Sequence, residues 1–122
     1  MATSATETRR VGEAILSEAP GMLSRDQVTV VSGQTLPNNA VVGKITATGK
    51  IAKYDNGASD GTEVAFGMLI AAVDASGGDA PGTVIERLAE LKADLLDWNT
   101  QDGTAQTAGK ADLLTRNIKV RP

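Results

Sequence analysis

Residues 41–54 read VVGKITATGKIAKY, and this stretch decides the fold class. Its first half is rich in β-branched residues, and in its second half polar and apolar residues alternate. Both patterns favour β-strands. We therefore expect one strand over residues 41–48 and a second strand over residues 50–54. Gly43, inside the first strand, indicates a bulge or the close approach of another backbone.

Strand signals continue on both sides of this pair. Upstream, the run VTVV at residues 28–31 is followed by Ser32-Gly33 and predicts a short strand. Downstream, residues 64–73 are nearly all apolar, which suits a strand buried on both faces, although a helix fits the periodicity as well. Loops rich in Asp, Asn, Ser and Gly occupy residues 55–62 and 74–82.

The segment that follows these loops has a different period. Its apolar residues recur at spacings of four and three, which predicts an amphipathic helix. These residues are Val84, Leu88, Leu91, Leu95 and Trp98. Thr83 and Glu86 stand at the capping-box positions of such a helix.

Two further elements are expected near the C-terminus. Residues 104–115 predict a short helix whose inner face is formed by Ala108, Ala111 and Leu114. Residues 118–120 predict a closing edge strand.

The N-terminal residues have the composition of an extended arm. Residues 1–23 contain no aromatic side chain and few bulky apolar ones, and Pro20-Gly21 interrupts them. Within residues 12–19, Ile15, Leu16 and Ala19 would share an apolar patch on a helix too short to be stable alone in water. We therefore divide the chain into an arm, residues 1–31, which ends in the short strand, and a β-rich domain, residues 32–122.

Composition excludes most catalytic and metal chemistry. The 122 residues include no Cys and no His, so the chain has no thiolate nucleophile, no imidazole base and no Cys/His zinc site. Twelve basic and 15 acidic residues give a net charge of -3, which disfavours nucleic-acid binding. No apolar run reaches the roughly 20 residues of a membrane span, and no signal-peptide pattern is present, so we expect no membrane and no export.

Two local patterns resemble ligand sites only weakly. Residues 43–51 have five residues between the two glycines, where a phosphate loop has four, and Ile51 replaces its Ser or Thr. Asp55, Asp60 and Glu63 crowd one loop, but their spacing is not that of an EF-hand and supports at most an adventitious cation site. We therefore expect no enzyme, no cofactor and no catalytic, cofactor-binding or metal-binding residue.

Several strings are informative because of their order along the chain. They are GEAILSEA at 12–19, SRDQVTV at 24–30, SGQ at 32–34, VGKITATGK at 42–50, DGT at 60–62, GML at 67–69 and VD at 73–74. Together they resemble the head decoration proteins of bacteriophages, the family typified by the lambda-like capsid-stabilising protein. The resemblance covers most of the chain, and none of the strings is a catalytic signature.

The resemblance implies a fold. It predicts a small, mainly β, β-barrel-like domain with one short C-terminal helix and an extended N-terminal arm. It also implies a long bent strand in place of the helix over residues 83–98, and we favour the strand. Leu88 departs from the family's pattern, in which a glycine stands at this position.

The resemblance also implies a function. A decoration or cement protein binds the outer surface of an assembled phage head as homotrimers at threefold or quasi-threefold positions, with the major capsid protein as its partner. It is made in the host cytoplasm, becomes part of the virion and stabilises the shell against the pressure of packaged DNA. With only three aromatic residues available for its core, this chain is expected to need such oligomerisation.

The arm is the expected capsid-binding element. A β-forming run can add itself to an exposed sheet edge of another protein, and a small apolar patch can serve as a second anchor. The predicted capsid-binding residues are Ile15, Leu16, Arg25, Val28, Thr29, Val30 and Val31.

A carrier module of the lipoyl or biotinyl type is the alternative hypothesis. Residues 33–45, with their Leu-Pro-Asn-Asn turn, are faintly similar to the hairpins of those domains. Such a domain needs a modifiable lysine at a hairpin tip, and Lys53 at a loop edge is its candidate here.

Overall fold

Ten β-strands and one α-helix run through residues 10–122, which are the residues that the computed structural model describes. Residues 1–9 of the predicted arm lie outside them. The strands are β1 (Ile15–Glu18), β2 (Arg25–Val30), β3 (Thr35–Leu36), β4 (Val41–Lys44), β5 (Ile51–Lys53), β6 (Ala65–Leu69), β7 (Val73–Asp74), β8 (Ala80–Ile85), β9 (Ala89–Lys92) and β10 (Ile118–Arg121). A 3-10 turn covers Ala93–Leu95, and the helix α1 covers Gly103–Thr115.

Five strands close into a barrel in the order β2-β5-β4-β6-β8. Strand β2 runs antiparallel to β8 over its whole length, from Arg25 opposite Ile85 to Val30 opposite Ala80. The barrel closes between β2 and β5 through a single pair, Val30 with Ile51. The predicted mainly β, barrel-like fold with one C-terminal helix is confirmed.

Gly43 shows why the 41–54 stretch determines the barrel. A Cβ atom at this position would lie 2.5 Å from the Cα of Thr62, so the loop backbone can cross β4 here only over glycine. The pairing of β4 with β6 also shifts register between Val42 and Gly43. The expected bulge and the expected close backbone approach are therefore both present.

A second layer consists of a three-stranded sheet in the order β1-β9-β10, covered by α1. Strand β9 is central, antiparallel to β1 and parallel to β10. Helix α1 begins at Asp102, whose carboxylate accepts a hydrogen bond from the Ala105 amide at 2.8 Å. Such a side-chain cap satisfies one of the amides that the first turn of a helix leaves unpaired.

The apolar residues form two clusters. One fills the barrel and includes Val30, Ile51 and Val84. The other lies where the barrel, the sheet and α1 meet, and joins Met68 and Ile85 of the barrel to residues of the second layer: Leu91, Trp98, Leu113 and Ile118. Because barrel strands contribute to both clusters, the two layers are expected to unfold together.

Residues 83–98 do not form the amphipathic helix that their spacing predicts. Their first part forms the end of β8 and the whole of β9, so a strand and not a helix is present there, although it is broken into two and ends at Lys92. The break lies at Leu88, which has a φ of 53° and is 41% exposed. Val84 and Leu91 are both fully buried, but in different clusters, so their helical spacing does not reflect one face.

Helix α1 is present as expected, but its predicted inner face is wrong. Ala111 and Leu114 are exposed, whereas Ala105, Gly109 and Leu113 are buried. A Cβ atom at position 109 would lie 2.7 Å from Cζ3 of Trp98, so glycine allows the helix to approach the indole ring closely. The prediction assigned the buried face from the apolar side chains, whereas the helix packs through a face that contains a glycine.

Three of the other strand predictions are correct in place and too long, whereas β10 is one residue longer than the predicted 118–120 and β2 begins before the predicted 28–31. Residues 41–48, 50–54 and 64–73 were expected as strands, and the strands there are the shorter β4, β5 and β6. A turn at 45–49 limits the first two, because the Gly49 amide donates to the Ile45 carbonyl at 2.7 Å. The helix considered for residues 12–19 is also wrong, since β1 occupies the middle of that segment.

Candidate functional site

The predicted capsid-binding residues lie on β1, on β2 and just after β2. On β1, Ile15 is opposite Leu91 of β9 and packs against the core, while Leu16 is 52% exposed. Strand β1 is the outer strand of its sheet, so its second backbone edge pairs with no strand of residues 10–122. Leu16 is therefore an apolar side chain on an open sheet edge, an arrangement that favours interaction.

Strand β2 is paired with β8 along its whole length and with β5 at one residue, Val30. Val28 and Thr29 are opposite Gly82 and Pro81 of β8, and the Val31 amide donates to the Ile51 carbonyl at 2.9 Å. Val30 is completely buried inside the barrel. Residues 30 and 31 are thus bonded within the barrel, whereas the edge of β2 that faces β5 is paired only at Val30. The expected addition of residues 28–31 to a capsid sheet stays a prediction. Capsid binding by the exposed side chain of Thr29 stays a prediction.

Arg25 joins the two N-terminal strands through an ion pair with Glu18. Its Nη2 lies 2.7 Å from Glu18 Oε1, and its Nε donates to Oε2 at 2.9 Å. This two-bond contact lowers the pKa of the Glu18 carboxyl, chiefly through the hydrogen bonds from the guanidinium. The turn between the strands is also fixed by Ser24, whose hydroxyl accepts from the Ala19 amide and donates to the Leu88 carbonyl, both at 2.8 Å.

The structure adds an exposed apolar surface that sequence analysis missed. Met22, Leu23 and Leu88 are 63%, 57% and 41% exposed, and we call them the Leu88 surface. They lie close together because the Arg87 guanidinium donates to the Leu23 carbonyl and Ser24 donates to the Leu88 carbonyl. A leucine with positive φ is strained, and the Leu88 side chain is exposed at this position. The sequence feature that could have indicated this surface is Leu88, which stands where the family's pattern has a glycine.

One buried carboxylate, that of Glu86, forms ion pairs with two arginines. It pairs with Arg87 and, at 3.4 Å, with Arg116, whose Nε also donates to the Glu86 carbonyl at 3.0 Å. Burial raises the pKa of Glu86, and the neighbouring Asp26 carboxyl raises it further. The Arg116 guanidinium stacks 4.4 Å from the centre of the Phe66 ring. These contacts join the end of α1 to the barrel.

In the acidic loop at 55–63, three carboxylates accept hydrogen bonds from backbone amides of the same loop. Asp55 accepts from the Gly57 amide at 3.0 Å, and Glu63 accepts from the Gly61 amide at 2.8 Å. Asp60 accepts from both the amide and the hydroxyl of Thr62, and these bonds lower the pKa of Asp60. No group of three or more His, Cys, Asp or Glu residues arranged for a metal ion occurs within residues 10–122.

The lysine that the carrier hypothesis requires at a hairpin tip lies instead in a β-strand. Lys53 is opposite Val42 inside the sheet pairing of β4 and β5, and the following Tyr54 is fully buried with its hydroxyl 2.8 Å from the Ala105 carbonyl. Lys53 is therefore not at the tip of a hairpin, and this assignment is wrong. Among the described residues, no helix has the length and apolar character to cross a membrane.

Comparison with known proteins identifies the family. The family model for the bacteriophage lambda head decoration protein D matches residues 4–118. The chain belongs to this family. The resemblance noted in the sequence is thus confirmed, whereas no curated protein sequence matches the chain. The head decoration family is a family of structural capsid proteins, and the match supports a capsid decoration role and a place in the virion.

Proposed function

We propose that this head decoration protein binds the outer surface of an assembled phage head as a homotrimer at threefold and quasi-threefold positions. Its partner is the major capsid protein, and it acts as a cement that stabilises the shell against the pressure of packaged DNA. It is made in the host cytoplasm and attaches to the finished shell. The observation that carries the proposal is the family match over residues 4–118.

The stabilisation follows from mass action. A protein that binds the assembled lattice but not its separated subunits favours the assembled state by an amount that grows with its concentration. A trimer presents three binding elements at once, so contacts that are individually weak gain from their high effective concentration. No chemical step is needed, in agreement with a chain that has neither Cys nor His.

The binding element that we propose is the N-terminal segment, residues 1–31. Two observations support it: Leu16 is exposed on the open edge of β1, and Thr29 exposes its side chain on β2. Residues 10–31 contact the capsid while remaining part of the folded domain, and the Arg25–Glu18 pair holds them there. Buried Val30 contributes to the barrel that presents this segment.

Co-sedimentation with expanded, undecorated shells of the parent phage tests the proposal. Full-length protein is expected to saturate the shells at three copies per threefold site. Deletion of residues 1–9 and the substitution Leu16→Ser are each expected to weaken binding, by about tenfold for Leu16→Ser. Val64→Ser is the matched control, because Val64 is also 52% exposed and lies just before β6.

The outcomes separate function from location. Full-length protein that fails to saturate competent shells would contradict the decoration role. If Leu16→Ser and the residue 1–9 deletion bound shells as tightly as Val64→Ser, the N-terminal location would be wrong and the decoration role would stand.

A further inference from the structure

The sheet edge formed by β10 is open, and the helix beside it is only partly covered. In the order β1-β9-β10, no strand of residues 10–122 lies beyond β10. The Ala89 amide donates to the Asn117 carbonyl, so the backbone of residue 117 faces β9. Because parallel strands bond to each neighbour through alternate residues, the amides and carbonyls of Ile118 and Val120 face away from β9.

A groove runs along this open edge beneath α1. It has a volume of about 170 Å³, and its lining consists of Lys110, Ala111, Leu114, Lys119 and Val120. Leu114 is 54% exposed although it belongs to the helix that covers the sheet. The helix therefore presents an apolar side chain to the groove beside β10. An added strand would gain backbone hydrogen bonds from β10 and apolar contact from Leu114.

The charge of the groove indicates its occupant. Its charged lining residues are both lysines, in a protein with a net charge of -3. Lys110 and Lys119 form no ion pair with any of residues 10–122, whereas the nearby Arg121 is paired with Glu90 at 2.6 Å. An occupant with carboxylates beside the lysines would be attracted, and an extended basic segment would be repelled.

We propose that this groove, which we call the β10 groove, binds an extended acidic segment of the major capsid protein as a fourth strand on β10. Small apolar side chains of that segment pack on Ala111 and Leu114, and its carboxylates pair with Lys110 and Lys119. The inference rests on the proposed decoration function and adds to it a second contact, remote in sequence from residues 1–31, with a partner of defined chemistry.

Charge reversal in the full-length chain tests the β10 groove. The double variant Lys110→Glu/Lys119→Glu is expected to lower affinity for undecorated shells at least about tenfold, and Leu114→Ser to lower it less. Lys53→Glu serves as the charge control, since Lys53 is an exposed barrel residue outside the groove, and Val64→Ser serves as the apolar control. Both controls are expected to bind shells like the unmodified protein, and thermal unfolding verifies that every variant is folded.

Hydrogen exchange on the bound protein tests the strand itself. The amides of Ile118 and Val120 are expected to exchange more slowly on shells than in the free protein. Unchanged exchange there, or unchanged affinity of the charge-reversed variant, would overturn the inference while full-length binding kept the decoration role. A charge-reversed variant that lost self-association would also overturn it, because the groove would then join copies of this chain. Full-length protein that did not bind shells would overturn the decoration role first.

Discussion

The barrel and the three-stranded sheet differ in how their outermost strands are paired. In the barrel, every one of the five strands has two neighbours, and the least complete pairing is that of β2 with β5 at Val30. In the sheet, β1 and β10 each have one neighbour within residues 10–122. Two exposed apolar residues lie at these edges, Leu16 on β1 and Leu114 beside β10. The barrel thus serves as a closed support, and the sheet is the part suited to assembly.

The contacts between the layers make this division possible. The second apolar cluster takes residues from the barrel, the sheet and the helix, so the open sheet is held from behind by the closed barrel. A three-stranded sheet with two free edges would be weak by itself. Its stability therefore depends on the barrel, while its edges stay available to partners.

The largest effect is expected from breaking the barrel at Gly43. In Gly43→Ala the new methyl group would clash with the Thr62 backbone, 2.5 Å from its Cα atom, and we expect a loss of about 3 kcal/mol in the free energy of unfolding. Urea denaturation measures it. Gly77→Ala is the control, because no atom lies within 4 Å of its added Cβ. Equal stability of the two variants would mean that the backbones are not in contact at Gly43.

An intermediate effect is expected at the junction of the layers, Leu88. Leu88→Gly and Leu88→Ala both remove the exposed side chain, but only glycine accepts a φ of 53° without strain. Leu88→Gly should therefore be more stable than Leu88→Ala by about 1 kcal/mol, the reverse of the order usual in regular structure. Thermal unfolding of the pair gives the answer, and a more stable alanine variant would show that residue 88 is not left-handed in solution.

The smallest effect concerns the ion pair that ties the sheet to the barrel. Arg25 lowers the pKa of Glu18 below its usual 4.5. The folded state therefore binds the proton more weakly than the unfolded state, so the pair stabilises the fold above pH 4.5 and loses this effect as the pH falls through the lowered pKa. Glu18→Gln should cost about 0.5 kcal/mol at pH 7, since the pair is partly exposed. At pH 3 the difference between the two proteins should be smaller than at pH 7.

Urea denaturation at the two pH values measures this difference. Glu13→Gln, which removes a nearby carboxylate without touching the pair, is the control. A difference between the Glu18 variant and the unmodified protein that did not change with pH would contradict the assigned role of the ion pair.

The sequence predicts the barrel well because its determinants are local. Alternating polarity and β-branched residues predict β4 and β5. A glycine inside a predicted strand, Gly43, also predicts the close approach of another backbone. The register of β1 against β9 is different, because Ile15 and Leu91 are far apart in sequence and no local pattern connects them. Periodicity failed at 83–98 because Val84 and Leu91 are buried in different clusters.

Local sequence patterns predicted only part of the candidate site. The N-terminal segment was singled out by composition, and Leu16 is exposed as a binding residue requires. Val30 was chosen by the same β-forming pattern that places it in the barrel, since strand propensity does not distinguish an interior strand from an edge strand. The β10 groove was missed because Gly109, rather than an apolar side chain, determines which face of α1 is buried.

The position of β9 between β1 and β10 also has a consequence for synthesis. The barrel strands are complete once Ile85 has been made, whereas β10 begins at Ile118, after the whole of α1. Strand β9 therefore receives its parallel neighbour only after the helix has been made, and this pairing links distant parts of the chain. A growing chain can fold its barrel early, whereas the β10 edge exists only once residues 118–121 have been made.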